Sequence, residues 1–358
     1  MRNKVKGLIV TISTSEKGGI RSVVENYYEA GLFSSYESRW IKSHSNSNAL
    51  LKIIRFLYAL FFVLFYSVRR NTVFHMHMSM NGSFYRKFIY TNIAKLLGSK
   101  VILHLHGSEF KTFYLESGKF TKYLIKTLFT QVCVVVALSN TWRDFINRVA
   151  PLAIVEVINN FCMPVENKMF SKTESVVKFV FLGAVIHRKG IFDLIEAFAM
   201  FKSEYRNHNV KLIVCGDGLL TEAVLLAKEL GLEEKIEFLG WIDRDKKTQV
   251  LNNANAIVLP SYNEGLPMVI VEALSLGKPV ITTPVGGVGE IIIDNENGFL
   301  VEPGNILQIR QKLREVLNGK NTLNVKVSAN AAATYKAKFS PGKIVPKVDA
   351  LYKELLRG

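Results

Sequence analysis

Apolar positions come in short blocks separated by helix-type stretches. The run Leu8-Ile9-Val10-Thr11-Ile12 predicts a buried strand. A loop with Gly18 and Gly19 follows it, and then a helical stretch over about residues 20–30. Residues 72–77, 101–106 and 132–137 are further β-type runs, the second ending at Gly107 and the third at Leu138-Ser139. Residues 159–175 are a mixed polar segment with Pro164, the expected linker. The pattern then restarts, with runs at 178–183, 211–216, 236–239, 256–259 and 279–282, most of them closing on Gly, Pro or Ser. Short apolar strands spaced by helices predict parallel sheets built from βαβ units. Two such series predict two Rossmann-like domains, with ligands beyond the carboxyl ends of the strands. The expected domains are 1–165, joined by a C-terminal helix over 341–358, and 166–340.

At 358 residues, 49% apolar and 21% charged, the chain fits a globular enzyme large enough to fold without disulfides. Cys133, Cys162 and Cys215 are scattered and odd in number, with no Cys-x-x-Cys or His/Cys cluster, so neither a zinc site nor a disulfide framework is expected, and all three are expected to pack as small apolar residues. The net charge of +16 is uneven. Residues 1–170 hold 22 Lys/Arg against 9 Asp/Glu, and residues 171–358 hold 24 against 21. A basic first half suits nucleic acid, an anionic membrane surface or a phosphate-bearing substrate. No helix-turn-helix, zinc-finger or RNP motif accompanies it, which excludes nucleic acid from the expectation.

Two segments bear on membranes. Arg2, Lys4 and Lys6 before Leu8-Ile9-Val10 have the outline of a signal peptide, but the apolar run is too short and lacks a cleavage site. Residues 56–68 are uncharged and flanked by Arg55 and Arg69-Arg70. Thirteen helical residues reach about 20 Å, short of a bilayer core. A buried domain helix is the first expectation, and a helix lying in the membrane interface the second.

The segment SYNEGLPMVIVEALSLGKPVITTPVGGVGEIIIDNENG, residues 261–298, carries the candidate chemistry. Pro267 suits a helix start and Gly277 a helix end. Glu264 is then in the loop before a short helix and Glu272 within it. A helix N-terminus attracts anions, and a departing diphosphate needs such donors. By spacing alone, Glu264 is equally an N-terminal cap and Glu272 a solvated residue.

This segment resembles the E-x7-E signature of family 4 retaining glycosyltransferases, through Glu264-Gly-Leu-Pro, Glu272-Ala-Leu, Gly277-Lys-Pro-Val, Gly286-Gly287, Glu290 and Asn297-Gly298. Weaker echoes include Gly18-Gly19, His77, His106-Gly107, Ser139, Asn160, the 183–190 segment, Gly216-Asp217-Gly218 and Phe238-Leu239-Gly240-Trp241. The resemblance implies the GT-B fold, an α/β architecture of two Rossmann-like domains whose parallel sheets face a central cleft. It implies that Glu264 contacts the transferred sugar and Glu272 holds the ribose hydroxyls. Backbone N–H groups at Gly265 and Leu266, before Pro267, would meet sugar or phosphates. Gly18 and Gly19 would admit the donor diphosphate, Lys189 would neutralise it, and His106 would sit near the reacting sugar. Gly240, Trp241 and Ile242 would border the nucleobase. Many relatives have Arg after the glycine at 183, where this chain has Ala184; Arg188 is the expected substitute.

The implied activity is metal-independent, retaining transfer from a nucleotide-diphosphate sugar, UDP or GDP, with no separate cofactor and no metal site. The acceptor is a saccharide or lipid-linked saccharide of cell-surface polysaccharide synthesis, met by the first domain. The implied location is cytoplasmic, peripheral on the inner face of the plasma membrane. Alternatives are a GT-B nucleotide-sugar epimerase and a nicotinamide-dependent Rossmann oxidoreductase. Gly216-Asp217-Gly218 lacks the third glycine that the oxidoreductase requires.

Overall fold

The computed structural model describes residues 7–14, 18–45, 48–165, 176–319 and 323–357. Arg2, Lys4 and Lys6, and residues 166–175 of the expected linker, lie outside the described residues. The chain divides into two compact units, Met1–Met163 with Pro341–Gly358, and Pro164–Ser340.

The first unit runs β1 (Leu8–Ser13), α1 (Gly19–Glu29), β2 (Glu37–Lys42), α2 (Ala49–Ser67), β3 (Thr72–Met78), α3 (Gly82–Leu96), β4 (Lys100–Leu105), α4 (Phe110–Glu116), α5 (Lys119–Gln131), β5 (Val134–Ala137), α6 (Asn140–Val149) and β6 (Val155–Val157). Its six strands form a parallel sheet in the order β2-β1-β3-β4-β5-β6. β1 and β3 are buried along their whole length, as strands covered on both faces must be. Strand order reverses between β1 and β3, so the crevice outside their carboxyl ends is the natural ligand position in this unit.

The second unit runs β7 (Val177–Leu182), α7 (Ile191–Glu204), β8 (Val210–Cys215), α8 (Leu220–Glu229), β9 (Ile236–Gly240), α9 (Arg244–Asn253), β10 (Ala256–Leu259), α10 (Met268–Ser275), β11 (Val280–Thr282), β12 (Phe299–Leu300), α11 (Ile306–Asn318) and α12 (Leu323–Lys338). Its sheet is also parallel, in the order β12-β11-β10-β7-β8-β9, and reverses between β7 and β10. The last helix, α13 (Pro341–Arg357), returns to the first unit, where Tyr36 Oη donates to Asp349 Oδ1 at 2.6 Å.

Two expectations change. The buried-helix reading of residues 56–68 is wrong. α2 is longer than that segment and buries only Ala59, Val63, Tyr66 and Ser67. Leu50, Ile54, Leu57, Phe61, Leu64, Phe65 and Val68 are 44–73% exposed. They recur at three- and four-residue steps and form one apolar outer stripe. The opposite side packs on α3 and β2, with the rings of Phe56 and Tyr90 stacked at 5.5 Å. Cys133 is half-buried, whereas Cys162 and Cys215 are buried as expected.

Candidate active site

Both loops at the reversal point of the second sheet carry charged residues of the motif. After β7 the chain makes one tight turn, His187–Lys189, and enters α7 through Gly190 at φ +68°. A Cβ on Gly190 would lie 2.1 Å from the carbonyl oxygen of Pro260, just past β10. Only glycine permits that approach, and the approach brings Lys189 beside Glu264. Lys189 Nζ donates to Glu264 Oε1 at 2.5 Å, and Ser261 Oγ donates to the same oxygen at 2.7 Å. Glu264 is 4% exposed. Arg188 Nη1 donates to the carbonyl of Asn263 at 2.8 Å, so its guanidinium lies against the loop that carries Glu264.

The Glu264 loop is braced from β11. Thr283 Oγ1 donates to the Ser261 carbonyl at 2.5 Å, and the Gly287 amide to the Gly265 carbonyl at 2.8 Å. Gly286 has φ +56°, and a Cβ there would lie 1.9 Å from the Glu264 carbonyl oxygen. Pro267 caps α10, which begins one residue later than a start at Pro267 would place it, because Pro267 has an extended ψ of 130°. Gly265, Leu266 and Pro267 are buried beside the start of α10.

Glu272 is 6% exposed and not solvated. Lys247 Nζ of α9 donates to its Oε1 at 2.6 Å. Among the described residues, no group donates to Oε2 of either glutamate, so each carboxylate has one oxygen held by the protein and one not so held. After β9, Gly240 is at φ +62°, and the Trp241 amide donates to Asp217 Oδ1 at 3.0 Å. Trp241 is 45% exposed and Ile242 half-buried. Gly216 and Gly218 serve close backbone approach. Cβ atoms there would lie 1.8 Å from the Gly183 oxygen and 2.5 Å from the Val185 oxygen.

In the first unit, Gly18 at φ +141° caps α1, and a Cβ on Gly18 or Gly19 would meet none of the described residues within 4 Å. His77 and His106 lie at the carboxyl ends of β3 and β4, with His77 Nδ1 2.8 Å from His106 Nε2. Behind them, His75 Nε2 is 3.1 Å from His104 Nδ1, and His75 Nδ1 is 2.7 Å from Tyr352 Oη of α13. Burial holds His75 down to about 3. Burial and the neighbouring His75 do the same for His106, and His77 and His104 are also pushed well below the usual histidine range, so all four rings are neutral. Ligand nitrogens of His75, His77 and His104 lie within 4.8 Å of one another, a spacing that could hold a metal ion. Pairwise hydrogen bonding among the four imidazoles accounts for the same arrangement.

Lys247 and Ser261 were missed by the sequence reading. Ser261 stands inside the motif segment, but its hydroxyl contact depends on how the loop folds back. Lys247 lies in α9, among Arg244, Lys246 and Lys247, where no local signal separates one lysine from the next.

Two parallel sheets of this kind, with charged loops at the strand reversal, define the GT-B class of glycosyltransferase. Residues 166–334 match the family model described as "Glycosyl transferases group 1". The uncharacterized glycosyltransferase MJ1178 of Methanocaldococcus jannaschii is 30% identical over 255 residues, 71% of this chain and 68% of its own length. The capsular polysaccharide biosynthesis glycosyltransferase CapM of Staphylococcus aureus is 29% identical over 177 residues, 49% of this chain and 46% of its own. The Anabaena protein Alr3699/HepE, crystallised with UDP and glucose, superposes with a TM-score of 0.75 at 17% identity, covering 96% of this chain and 99% of that one. The chain belongs to the group 1 glycosyl transferases. That corrects the family 4 assignment drawn from the motif, because the matching family model is that of group 1. As a glycosyltransferase, it moves a sugar from a nucleotide-sugar donor to an acceptor and is not a nicotinamide oxidoreductase.

Proposed function

We propose that the enzyme transfers a sugar with retention at the anomeric carbon. The donor is a nucleoside diphosphate sugar, and the acceptor a saccharide or lipid-linked saccharide of cell-surface polysaccharide synthesis. The observation that carries this reading is the pair of buried glutamates flanking the start of α10, each with one oxygen held by a lysine. A buried carboxylate is unfavourable unless paired; here each is paired on one oxygen and keeps the other for a ligand hydroxyl. Glu264 Oε2 accepts from the transferred sugar, and Glu272 Oε2 from the ribose. Lys189 and the amide end of α10, at Gly265 and Leu266, stabilise the charge that develops on the diphosphate. Arg188 adds positive charge behind them. Gly240, Trp241 and Ile242 border the base. In the first unit, Gly18 and Gly19 leave room for the diphosphate at the N-terminus of α1, and His106 meets the reacting sugar. The acceptor hydroxyl attacks the face from which the diphosphate leaves, and a phosphate oxygen takes its proton. The protein supplies position and electrostatics.

The first unit is read as the acceptor-binding domain and the second as the donor-binding domain. The capsular relative's named pathway supports a polysaccharide role, and the UDP bound to HepE makes UDP the first nucleotide to test. We further propose peripheral attachment to the cytoplasmic face of the plasma membrane through α2. At 19 residues it is long and apolar enough to cross a bilayer, but its inner side is packed on the domain, which supports an in-plane position. Lys52, Arg55, Arg69 and Arg70 supply charge for anionic headgroups.

Thermal melts with UDP, GDP, ADP and their sugars test the donor reading. One nucleotide should raise the midpoint by mass action, and Glu272→Ala should abolish that rise. Equal shifts from all three nucleotides, or a full shift in Glu272→Ala, would contradict it. Donor turnover that needs no acceptor would favour the epimerase.

A further inference from the structure

Four of the chain's seven histidines, His75, His77, His104 and His106, stand on one face of two neighbouring strands. His77 pairs with His104 in the β3–β4 register, and the rings stack in sequence, His77 on His104 at 5.1 Å and His104 on His106 at 4.1 Å. His77 is 2% exposed, while His106 is half-buried at the strand end. The hydrogen bond between them therefore joins a ring locked in the core to a ring at the carboxyl end of the sheet.

Both rings are neutral, so one proton lies between His77 Nδ1 and His106 Nε2, and the two tautomers are linked. If His106 donates, His77 must carry its own proton on Nε2. That nitrogen is buried and has no hydrogen-bond partner among the described residues. The result would be a buried donor with no acceptor, the rarer kind of defect in folded proteins. If His77 donates, its Nε2 is a bare lone pair. Tyr27 Oη and Thr11 Oγ1, on the same core layer, also have no partner among the described residues, and each has a proton to give. Tyr27 packs directly on the His75 and His77 rings, at 6.2 and 6.5 Å between centroids. Neither hydroxyl bonds to Nε2, but a bare lone pair there strands no donor, and the hydroxyls beside it are protic.

We infer that His77 is a positioning residue: its Nδ1–H donates to His106 Nε2, fixes the His106 ring, and leaves His106 to meet the sugar as a hydrogen-bond donor through Nδ1–H. This rests on the proposed contact between His106 and the reacting sugar. It also assigns His106 a binding role in place of a general base, because its one basic nitrogen is already occupied. The His75–His104 pair stacks behind this dyad and, through Tyr352 of α13, ties the C-terminal helix to the same layer.

His77→Leu, His77→Asn and His106→Ala test the inference. The Asn amide can place an N–H where Nδ1–H stands. Whichever of UDP-glucose, UDP-N-acetylglucosamine and GDP-mannose the wild type turns over is used, with nucleotide release as the readout. His77→Leu should lower kcat about tenfold, the effect of one lost hydrogen bond, with little change in KM, and His77→Asn should restore most of it. Nitrogen-15 spectra of histidine-labelled wild type should show His106 protonated on Nδ1 and not on Nε2. Protonation on Nε2, or wild-type kcat in a folded His77→Leu, overturns the inference. If His77→Leu does not fold, the wild-type spectra decide. Impaired His106→Ala beside unimpaired His77→Leu defeats this inference alone. Unimpaired His106→Ala defeats the sugar contact on which it rests.

Discussion

Lys189 Nζ and Glu264 Oε1 are 2.5 Å apart although 75 positions separate the residues. The contact is made by backbone geometry, since Gly190 lets the end of the β7 loop pass against Pro260. The lysine side chain is 15% exposed and the glutamate side chain 6%. Removing one partner leaves a nearly buried charge with only the Ser261 hydroxyl.

Lys189→Met should therefore destabilise the second unit by about 3 kcal/mol, as breaking a buried pair does. Lys189→Met combined with Glu264→Gln should regain most of that stability without regaining transfer. Urea melts of the single and double variants measure the difference. Equal losses in the two would show that the pair is not coupled.

Gly286→Ala and Gly18→Ala should behave differently. At Gly286 the added Cβ meets the Glu264 carbonyl at a positive φ, so a loss of roughly 1–3 kcal/mol and a displaced Glu264 loop are expected. At Gly18 no described residue crowds the added Cβ, but φ +141° strains any L residue. Gly18→Ala should also lose roughly 1–3 kcal/mol, yet leave the Glu264 loop in place and weaken binding of the donor diphosphate. Melting curves and donor titration of the two variants separate these effects.

The sheets were legible because several of their inner strands are uninterrupted apolar runs, such as Ala256–Leu259 and Val134–Ala137. The edge strand β2 was not, because ESRWIK alternates charge with half-buried residues and buries only Ile41. β12, at two residues, is too short to leave a pattern. In the site, Glu264, Glu272 and Lys189 were picked out by motif, but their ion pairing was not. A salt bridge between residues 75 apart follows from which loops the sheet order brings together, and no local spacing encodes it. The misreading of α2 has a related cause. Its periodicity was hidden because apolar residues occupy both the packed and the exposed sides.

Acid should destabilise the first unit well above the carboxylate range. His75 titrates near 3 in the fold because burial disfavours its charged form, against about 6.5 in the unfolded chain. Between those values the unfolded chain binds more protons, so stability is full above about pH 6.5 and falls as pH drops toward 3. At pH 5 the loss from His75 alone is about 2 kcal/mol. Urea midpoints at about pH 7.5 and pH 5 check this, and His75→Gln should flatten the dependence.

Vesicle flotation tests α2. Phe61→Ser with Phe65→Ser removes two of its exposed rings, 60% and 47% exposed, and should leave thermal stability within a few tenths of a kcal/mol. Binding to vesicles containing phosphatidylglycerol should fall several-fold, and wild-type binding should weaken with salt. Binding that ignores both salt and the substitutions would rule out this surface.

The most direct measurement is the transfer rate of Glu264→Gln, an isosteric change that keeps the loop but removes the carboxylate. With the donor chosen by thermal shift and folding at the assay temperature checked by circular dichroism, the predicted outcome is a drop in kcat of about 100-fold or more, in a protein that is still folded although its melting temperature falls as Lys189 loses its charged partner. A folded Glu264→Gln that transfers sugar at the wild-type rate would contradict the assignment of Glu264 to the reacting sugar.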